Sequence, residues 1–281
     1  NLKINGSFGE GFSYAYRQRL NKANTESSFF NSIDYVYLNY AINKNWSLSA
    51  GKQIVGIGGY EYDLAPIDIY TLSEFCNNIS CYQFGASASY ALDNNKDLFT
   101  LQLCQSPFQI EGNRDIYALN FVWYGNRDCW NTIYSANLVE YLPHKFIGYL
   151  ALGNQFKSGK TTFNIDLMGR TTGAQVKDGD LFKDFSIIGS ITREIGEHVI
   201  LRVNASHDVN KNKSAGDLCV LPGTEITNVG GGIEVFPARI RDVRLHAYYS
   251  YYAGRNASGT LQPDDMQLSV GLTWRINFIK K

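Results

Sequence analysis

Tyr82–Leu92 reads YQFGASASYAL, and the way its residues alternate decides the fold. Tyr82, Phe84, Ala86, Ala88, Tyr90 and Leu92 are apolar, while Gln83, Gly85, Ser87 and Ser89 between them are polar or lack a side chain. A period of two puts the two sets on opposite faces of an extended strand. Most of the chain repeats the pattern. Phe99, Leu101 and Leu103 follow it, then Tyr117, Leu119, Phe121 and Trp123, then Phe163, Ile165 and Leu167. Val199, Leu201, Val203 and Ala205 continue it, as do Val243 to Tyr251 and Leu268 to Phe278.

A soluble sandwich or lipocalin-like barrel also alternates, with its apolar face inward. Its strands average about five or six residues, whereas these run to about ten, the length a tilted strand needs to cross a bilayer. The polar positions hold Ser, Gly, Asn, Thr, Gln and Arg rather than the Lys and Glu of a soluble surface. That composition suits a wetted lumen, with the apolar face against lipid. Phe12, Trp46, Trp123, Phe163, Trp274 and Phe278 fall near strand ends, where an aromatic girdle meets the membrane interface. The expected fold is all-β, a single transmembrane antiparallel up-and-down β-barrel over residues 1–281.

The connections set the orientation. Residues 9–11, 43–45, 94–96, 125–131, 157–160, 196–198 and 237–242 make short turns. Between them lie longer segments at 21–30, 55–81, 106–114, 171–183, 208–222 and 254–264, with LPHK at 142–145 a short exception. Short turns face the periplasm and long loops the outside of an outer membrane. Fifteen strands are legible, from 2–8 to 266–278, and the first runs into a short turn. Bacterial barrels have an even count, so sixteen strands are expected, one of them before Asn1. NLKING carries no signal-peptide pattern, so any leader is expected to be already removed.

The 26 basic and 26 acidic residues cancel, which argues against a nucleic-acid partner. Cys76, Cys81, Cys104, Cys129 and Cys219 match no zinc spacing, and no metal or cofactor is expected. Cys76 and Cys81 share one loop, a spacing open to a local disulfide or to two free thiols. His144, His198, His207 and His246 accompany no nucleophile, so an enzyme is not expected.

Parity directs Lys3, Arg17, Arg19, Arg170, Arg202, Arg244 and Arg275 into the lumen, with Asp166, Glu194 and Glu234. The longest connection, 55–81, is the third outside loop if a strand precedes Asn1. It carries Glu61, Asp63, Asp68 and Glu74 and no cation. A sixteen-stranded lumen is too wide for side chains to fill, so this loop is expected to fold inward as a constriction. Tyr60, Tyr62, Ile67, Ile69 and Tyr70 would pack on the wall, and the four acids would face Arg17 and Arg19. The wall arginines Arg170 and Arg202 would line the pore.

RQRLNK at 17–22, IDYVYLNYAINKNWSLSAGKQ at 33–53 and GGYEYDLAPIDIYTLSEF at 58–75 resemble the phosphate-selective porin O and P family, in its Bacteroidota branch. The ending TWRINF is similar to the terminal aromatic signal of outer-membrane barrels. The resemblance implies a sixteen-stranded porin, commonly trimeric, in the outer membrane of a Gram-negative bacterium, its third loop narrowing the pore. Lipid, lipopolysaccharide, transiting solutes and ions, and accessory outer-membrane proteins are the implied partners. The lysine cluster and arginine ladder of phosphate channels have no counterpart here, since 55–81 has no basic residue. The expected function is a passive diffusion channel for small hydrophilic solutes and ions. A phosphate, anion or oligosaccharide channel and a plugged structural or adhesin barrel stand as alternatives.

Overall fold

A computed structural model describes residues 2–19, 32–94, 96–109, 115–211, 216–237, 241–258 and 264–276. Alternating segments become strands, the last ending at Trp274. The first seven strands are β1 (Leu2–Phe8), β2 (Phe12–Gln18), β3 (Ile33–Ala41), β4 (Trp46–Ile54), β5 (Tyr82–Ala91), β6 (Asp97–Gln105) and β7 (Tyr117–Arg127). They continue as β8 (Trp130–Leu142), β9 (Lys145–Ser158), β10 (Thr161–Thr172), β11 (Asp184–Ile195) and β12 (Val199–Val209). The last are β13 (Glu225–Val235), β14 (Val243–Arg255) and β15 (Met266–Trp274). Two short helices, α1 (Glu74–Asn78) and α2 (Gly173–Asp178), sit in the long connections.

The strands form one 15-stranded sheet in sequence order, every neighbouring pair antiparallel, with no crossover. Hairpins mostly alternate between tight turns and long connections, broken by the short β8–β9 turn that follows one tight turn and precedes another. The tightest, at 128–129, 143–144 and 159–160, each place one residue at positive φ, Asp128 at 54°, His144 at 60° and Gly159 at 56°. Among the described residues no pairing joins β1 to β15. The expected sixteenth strand, the loop 21–30, and Phe278 with its three following residues lie outside the described residues.

One face of the sheet is apolar and exposed: Leu101 at 52%, Leu103 at 57%, Val203 at 52% and Val229 at 52% are typical. A belt of this extent around a folded sheet far exceeds the apolar patches of soluble proteins, and lipid is its matching solvent. Aromatic rings gather beside the short turns. Phe8 stacks on Phe12 at 5.6 Å, Phe12 on Tyr40 at 4.5 Å, and Trp46 meets Tyr90 at 4.7 Å.

The core sits on the opposite face. Val55, Ile57, Phe75, Cys76 and Ile79 of the 55–81 loop pack with Cys104, Ala118, Val139, Tyr149, Ala151 and Met168 of β6–β10 and with Cys219 and Val220. Gly58 meets Ser135 on β8, and ten residues later Asp68 meets Arg244 on β14. Six strand spacings at about 4.8 Å would separate those strands by about 29 Å in a flat sheet. Ten residues that contain both a tight turn, closed by the Asp63 N–H on the Gly59 carbonyl at 3.3 Å, and a 3-10 turn at Pro66–Asp68 fall short of that, so the sheet curls around the loop.

Candidate pore and its inner loop

The loop enters on glycine. The Gly56 N–H donates to Gln102 Oε1 at 2.7 Å, and the Gly58 N–H donates to Ser135 Oγ at 2.8 Å. Asn137 Nδ2 donates to the Gly56 carbonyl at 2.6 Å, and the Gly59 N–H reaches the Ile133 carbonyl at 3.2 Å. Backbone groups leaving a sheet need new partners, and polar side chains of the wall supply them. The approach is too close for a side chain. A Cβ at Gly58 would lie 2.7 Å from the Ile133 carbonyl oxygen, and one at Gly153 would lie 2.7 Å from Gly59 Cα. Gly59 also takes a φ of 108°, a region that glycine alone enters without strain. Asp166 then anchors the turn, accepting from the Tyr60 N–H at 2.9 Å and the Glu61 N–H at 2.8 Å.

The far side of the loop is tied to β12–β14. Arg244 Nη1 pairs with Asp68 at 2.5 Å and with Glu234 at 3.1 Å, and Arg202 Nε pairs with Glu234 at 2.9 Å. Tyr70 donates to Glu234 at 2.7 Å and stacks on Tyr248 with centroids 5.0 Å apart. Thr71 meets the Tyr252 hydroxyl at 2.6 Å and accepts from Asn228 Nδ2 at 2.6 Å. Ser73 caps α1, accepting from the Cys76 N–H at 3.2 Å, and Asp208 accepts from the Glu74 N–H at 2.9 Å. Of the aromatic and aliphatic residues expected against the wall, Tyr62 and Tyr70 do pack inward, but the main apolar contacts come from Val55, Ile57 and Phe75.

The four acids do not act as a set. Glu61 is buried and accepts from the Ser73 N–H at 2.9 Å and from the Ser73 hydroxyl. Burial pushes its carboxyl up to about 7, with the Asp208 charge adding to the shift and hydrogen bonds from Cys76 and Ser73 opposing it. Glu74 is fully buried, held by Asn78 at 2.6 Å, Asn256 at 2.9 Å and the Ser258 hydroxyl. These two stabilise the loop itself and do not face Arg17 and Arg19. Asp68 faces Arg244 instead, and Asp63 is the exposed member.

The expected pairing of Arg17 and Arg19 with the loop acids is likewise replaced. Both bind Asp34, at 2.9 Å and 2.8 Å. Strict alternation would put Asp34 with Val36, Leu38 and Tyr40 on the exposed apolar face. A register shift between Arg17 and Gln18, whose partners are Tyr35 and Ile33, leaves Asp34 as an extra residue. That β-bulge carries the carboxylate to the arginine side. Arg17 also lies 4.7 Å from the Tyr35 ring centroid and donates to the Tyr82 hydroxyl. Arg170, expected on the pore wall, is wholly buried. It binds Asp217 at 2.6 Å, Ser186 Oγ at 2.6 Å and the Val209 carbonyl at 2.7 Å, clamping the outer loop 210–224. Arg202 remains partly exposed beside Glu234.

Cys76 and Cys81 are free thiols. Cys76 lies in the core against Glu61, and the Cys81 sulfur lies 3.6 Å from the Ile79 carbonyl, so the pair is engaged separately. Asp34 and Asp166 were the residues whose roles sequence reasoning did not reach. For Asp34 the signal was present, since an acid in lipid-facing register demands a bulge.

On β1–β4 lies an open recess of about 1050 Å³ lined by the small neutral side chains of Asn5, Ser7, Ser13, Asn39 and Ser49, by Tyr14, Tyr35 and Tyr37, and by Lys3. Solved porin structures share this architecture. The outer-membrane channel DcaP of Acinetobacter baumannii superposes with a TM-score of 0.67 at 11% identity, covering 96% of this chain and 81% of that one. An anion-selective porin from Comamonas acidovorans gives 0.66 at 10% identity over 96% and 86%. A loop-deletion variant of OmpT, an outer membrane protein of Vibrio cholerae, gives 0.63 at 10% identity over 97% and 88%. The fold is that of an outer-membrane β-barrel of the porin type. Residues 1–125 match the family model of phosphate-selective porin O and P. Curated proteins yield no match to the chain.

Proposed function

We propose that the protein is a general diffusion porin of the outer membrane of a Gram-negative bacterium. Small hydrophilic solutes and ions pass between the inward loop 55–81 and the β1–β4 wall. The observation that carries this reading is the division of the inner face. The loop docks on β6–β14 through backbone bonds, apolar side chains and ion pairs, while β1–β4 keep a hydrophilic recess free of apolar core. The charges along that path are few. Arg17 and Arg19 share Asp34, Lys3 stands on β1, and Asp63 projects from the loop. Sparse charge of both signs favours weak ion selectivity, and the loop offers phosphate no cation.

A homotrimer completes the proposal, with lipid and lipopolysaccharide against the exposed belt; chemical cross-linking of the purified protein checks the trimer. Reconstitution in planar bilayers under a salt gradient tests the function. Stepwise conductance with a small reversal potential is the expected result. Absence of steps refutes the pore, and a strong anion preference abolished by phosphate restores the specific-channel alternative.

A further inference from the structure

Arg193 stands in the apolar, exposed face of the sheet. Its register partners are Thr161 on β10 and Leu201 on β12, and Ile191 and Ile195 flank it along β11. Leu201, Ile191 and Ile195 are all exposed, so the guanidinium opens onto lipid rather than onto the lumen. Charged groups against a bilayer pair with one another or reach for the interface. Arg127, on the same face at the end of β7, is paired: both oxygens of Asp97 accept from its Nη2 at 2.7 Å. Arg193 has no carboxylate among the described residues; its Nη1 donates to Thr161 Oγ1 at 3.3 Å. Glu194, next in the chain, lies on the other face of the strand, where Arg241 binds it at 3.0 Å.

One row of the register fixes the depth. Trp130, Phe156, Phe163 and Ile191 are successive cross-strand partners from β8 to β11. The Phe156 and Phe163 rings stack with centroids 6.2 Å apart. Trp130 Nε1 and the Tyr134 hydroxyl both donate to Asn154 Oδ1, at 3.1 and 2.8 Å. Rings with a polar tip mark the membrane–water interface. Arg193 lies two residues past Ile191 towards the tight turn at 196–198, about 7 Å further along the strand. The headgroup region adds about 5–8 Å on each side of the hydrocarbon core, so the guanidinium sits at the level of the lipid phosphates. Short turns place that level in the periplasmic leaflet.

A guanidinium offers five N–H donors in a planar fork that matches two phosphate oxygens. The Thr161 hydroxyl accepts one of these and keeps its own proton for another acceptor. Beside the two groups, exposed Ile191, Leu201 and Phe163 present apolar surface to an acyl chain. From a cation without a counter-charge and a free hydroxyl proton at headgroup depth, continuous with the lipid-facing belt, we infer that Arg193 and Thr161 bind the phosphodiester of an anionic phospholipid of the phosphatidylglycerol class. The uncompensated charge favours a net-negative headgroup over a zwitterionic one. The inference rests on the porin reading, which sets this face against lipid and its short turns in the periplasm.

The test is native mass spectrometry of the full chain, released from detergent after titration with phosphatidylglycerol or phosphatidylethanolamine of the same acyl chains. The first phosphatidylglycerol is expected to bind at least fivefold more tightly than phosphatidylethanolamine. Arg193→Gln should abolish that preference. Lys157→Gln should keep it, because Lys157 pairs with Thr162 on the lumen side of the adjoining hairpin. Both variants are checked for folding by heat-modifiable migration. Equal affinity for the two lipids, or equal loss in both variants, overturns the inference. Displacement of the bound lipid by lipid A at a lower concentration also overturns it, in favour of the outer leaflet. Loss of an oligomer mass in Arg193→Gln would assign this face to a second copy and overturn it too. Planar-bilayer conductance of the parent decides the pore separately: absence of steps removes the porin reading, while the lipid preference still stands or falls on Arg193.

Discussion

Asp166→Asn removes the anchor on which the inner loop turns. The carboxylate accepts two backbone N–H groups, from Tyr60 at 2.9 Å and Glu61 at 2.8 Å. An amide keeps one accepting oxygen and turns an NH₂ towards the second N–H, so one charge-assisted bond is lost and a donor is left facing a donor. Bonds to charged groups contribute about 1.5–3 kcal/mol each, which puts the loss at about 2–3 kcal/mol. At 1.4 kcal/mol per factor of ten, the docked loop should be disfavoured roughly 30- to 150-fold. Single-channel recording should then show frequent excursions to a larger conductance, and added protease should cut within 60–70. Gly153→Ala perturbs the same contact by shape alone, because its Cβ would meet Gly59 Cα at 2.7 Å and Asp166 Oδ1 at 2.9 Å. It should give the same phenotype. Conductance histograms and cleavage rates matching the parent in both variants would refute the docking of this loop as the determinant of pore width.

Asp34→Asn should shift the reversal potential towards anion selectivity, because Arg17 and Arg19 lose the one carboxylate they share; an unchanged potential would place that cluster outside the ion path. Glu61, pushed up to about 7 by burial, takes up a proton on docking, so its contribution is full below about 4.5 and is lost as pH rises through about 7. Channel noise from loop release should therefore grow over that window in the parent and stay flat in Glu61→Gln. Arg170→Ala leaves the buried Asp217 without its counter-charge and should cost about 3–5 kcal/mol of stability, measured by urea unfolding in detergent. Maleimide should label Cys129 rapidly in the folded protein and spare Cys76, Cys104 and Cys219 until denaturation.

Strands and turns were legible because each depends on local rules. Side-chain period fixes the face, and tight turns take Gly, Asn and Asp. The inner loop was legible as an interruption of that period with unusual length. Its partners were not, because they follow from curvature. Nothing in the spacing of Asp68 and Arg244 reveals that a curled sheet brings them together. Glu61 and Glu74 misled for a related reason: an acid in a long loop reads as solvated, yet Ser73, Asn78 and Asn256 are arranged to bury both. The glycines at 56, 58 and 59 were visible, but their purpose appears only against Ile133 and Gly153.

The loop is held on β6–β14 by main-chain bonds, close glycine contacts, apolar packing and ion pairs, whereas Ser13, Asn39 and Ser49 of the β1–β4 recess bond only one another. Mutation is therefore constrained very differently on the two sides of the lumen. Positions such as Asn5, Ser13, Asn39 and Ser49 can be exchanged without loosening the loop. A lineage adapting to new nutrients could retune this channel on one wall, in small steps, while the scaffold that sets its width stays unaltered.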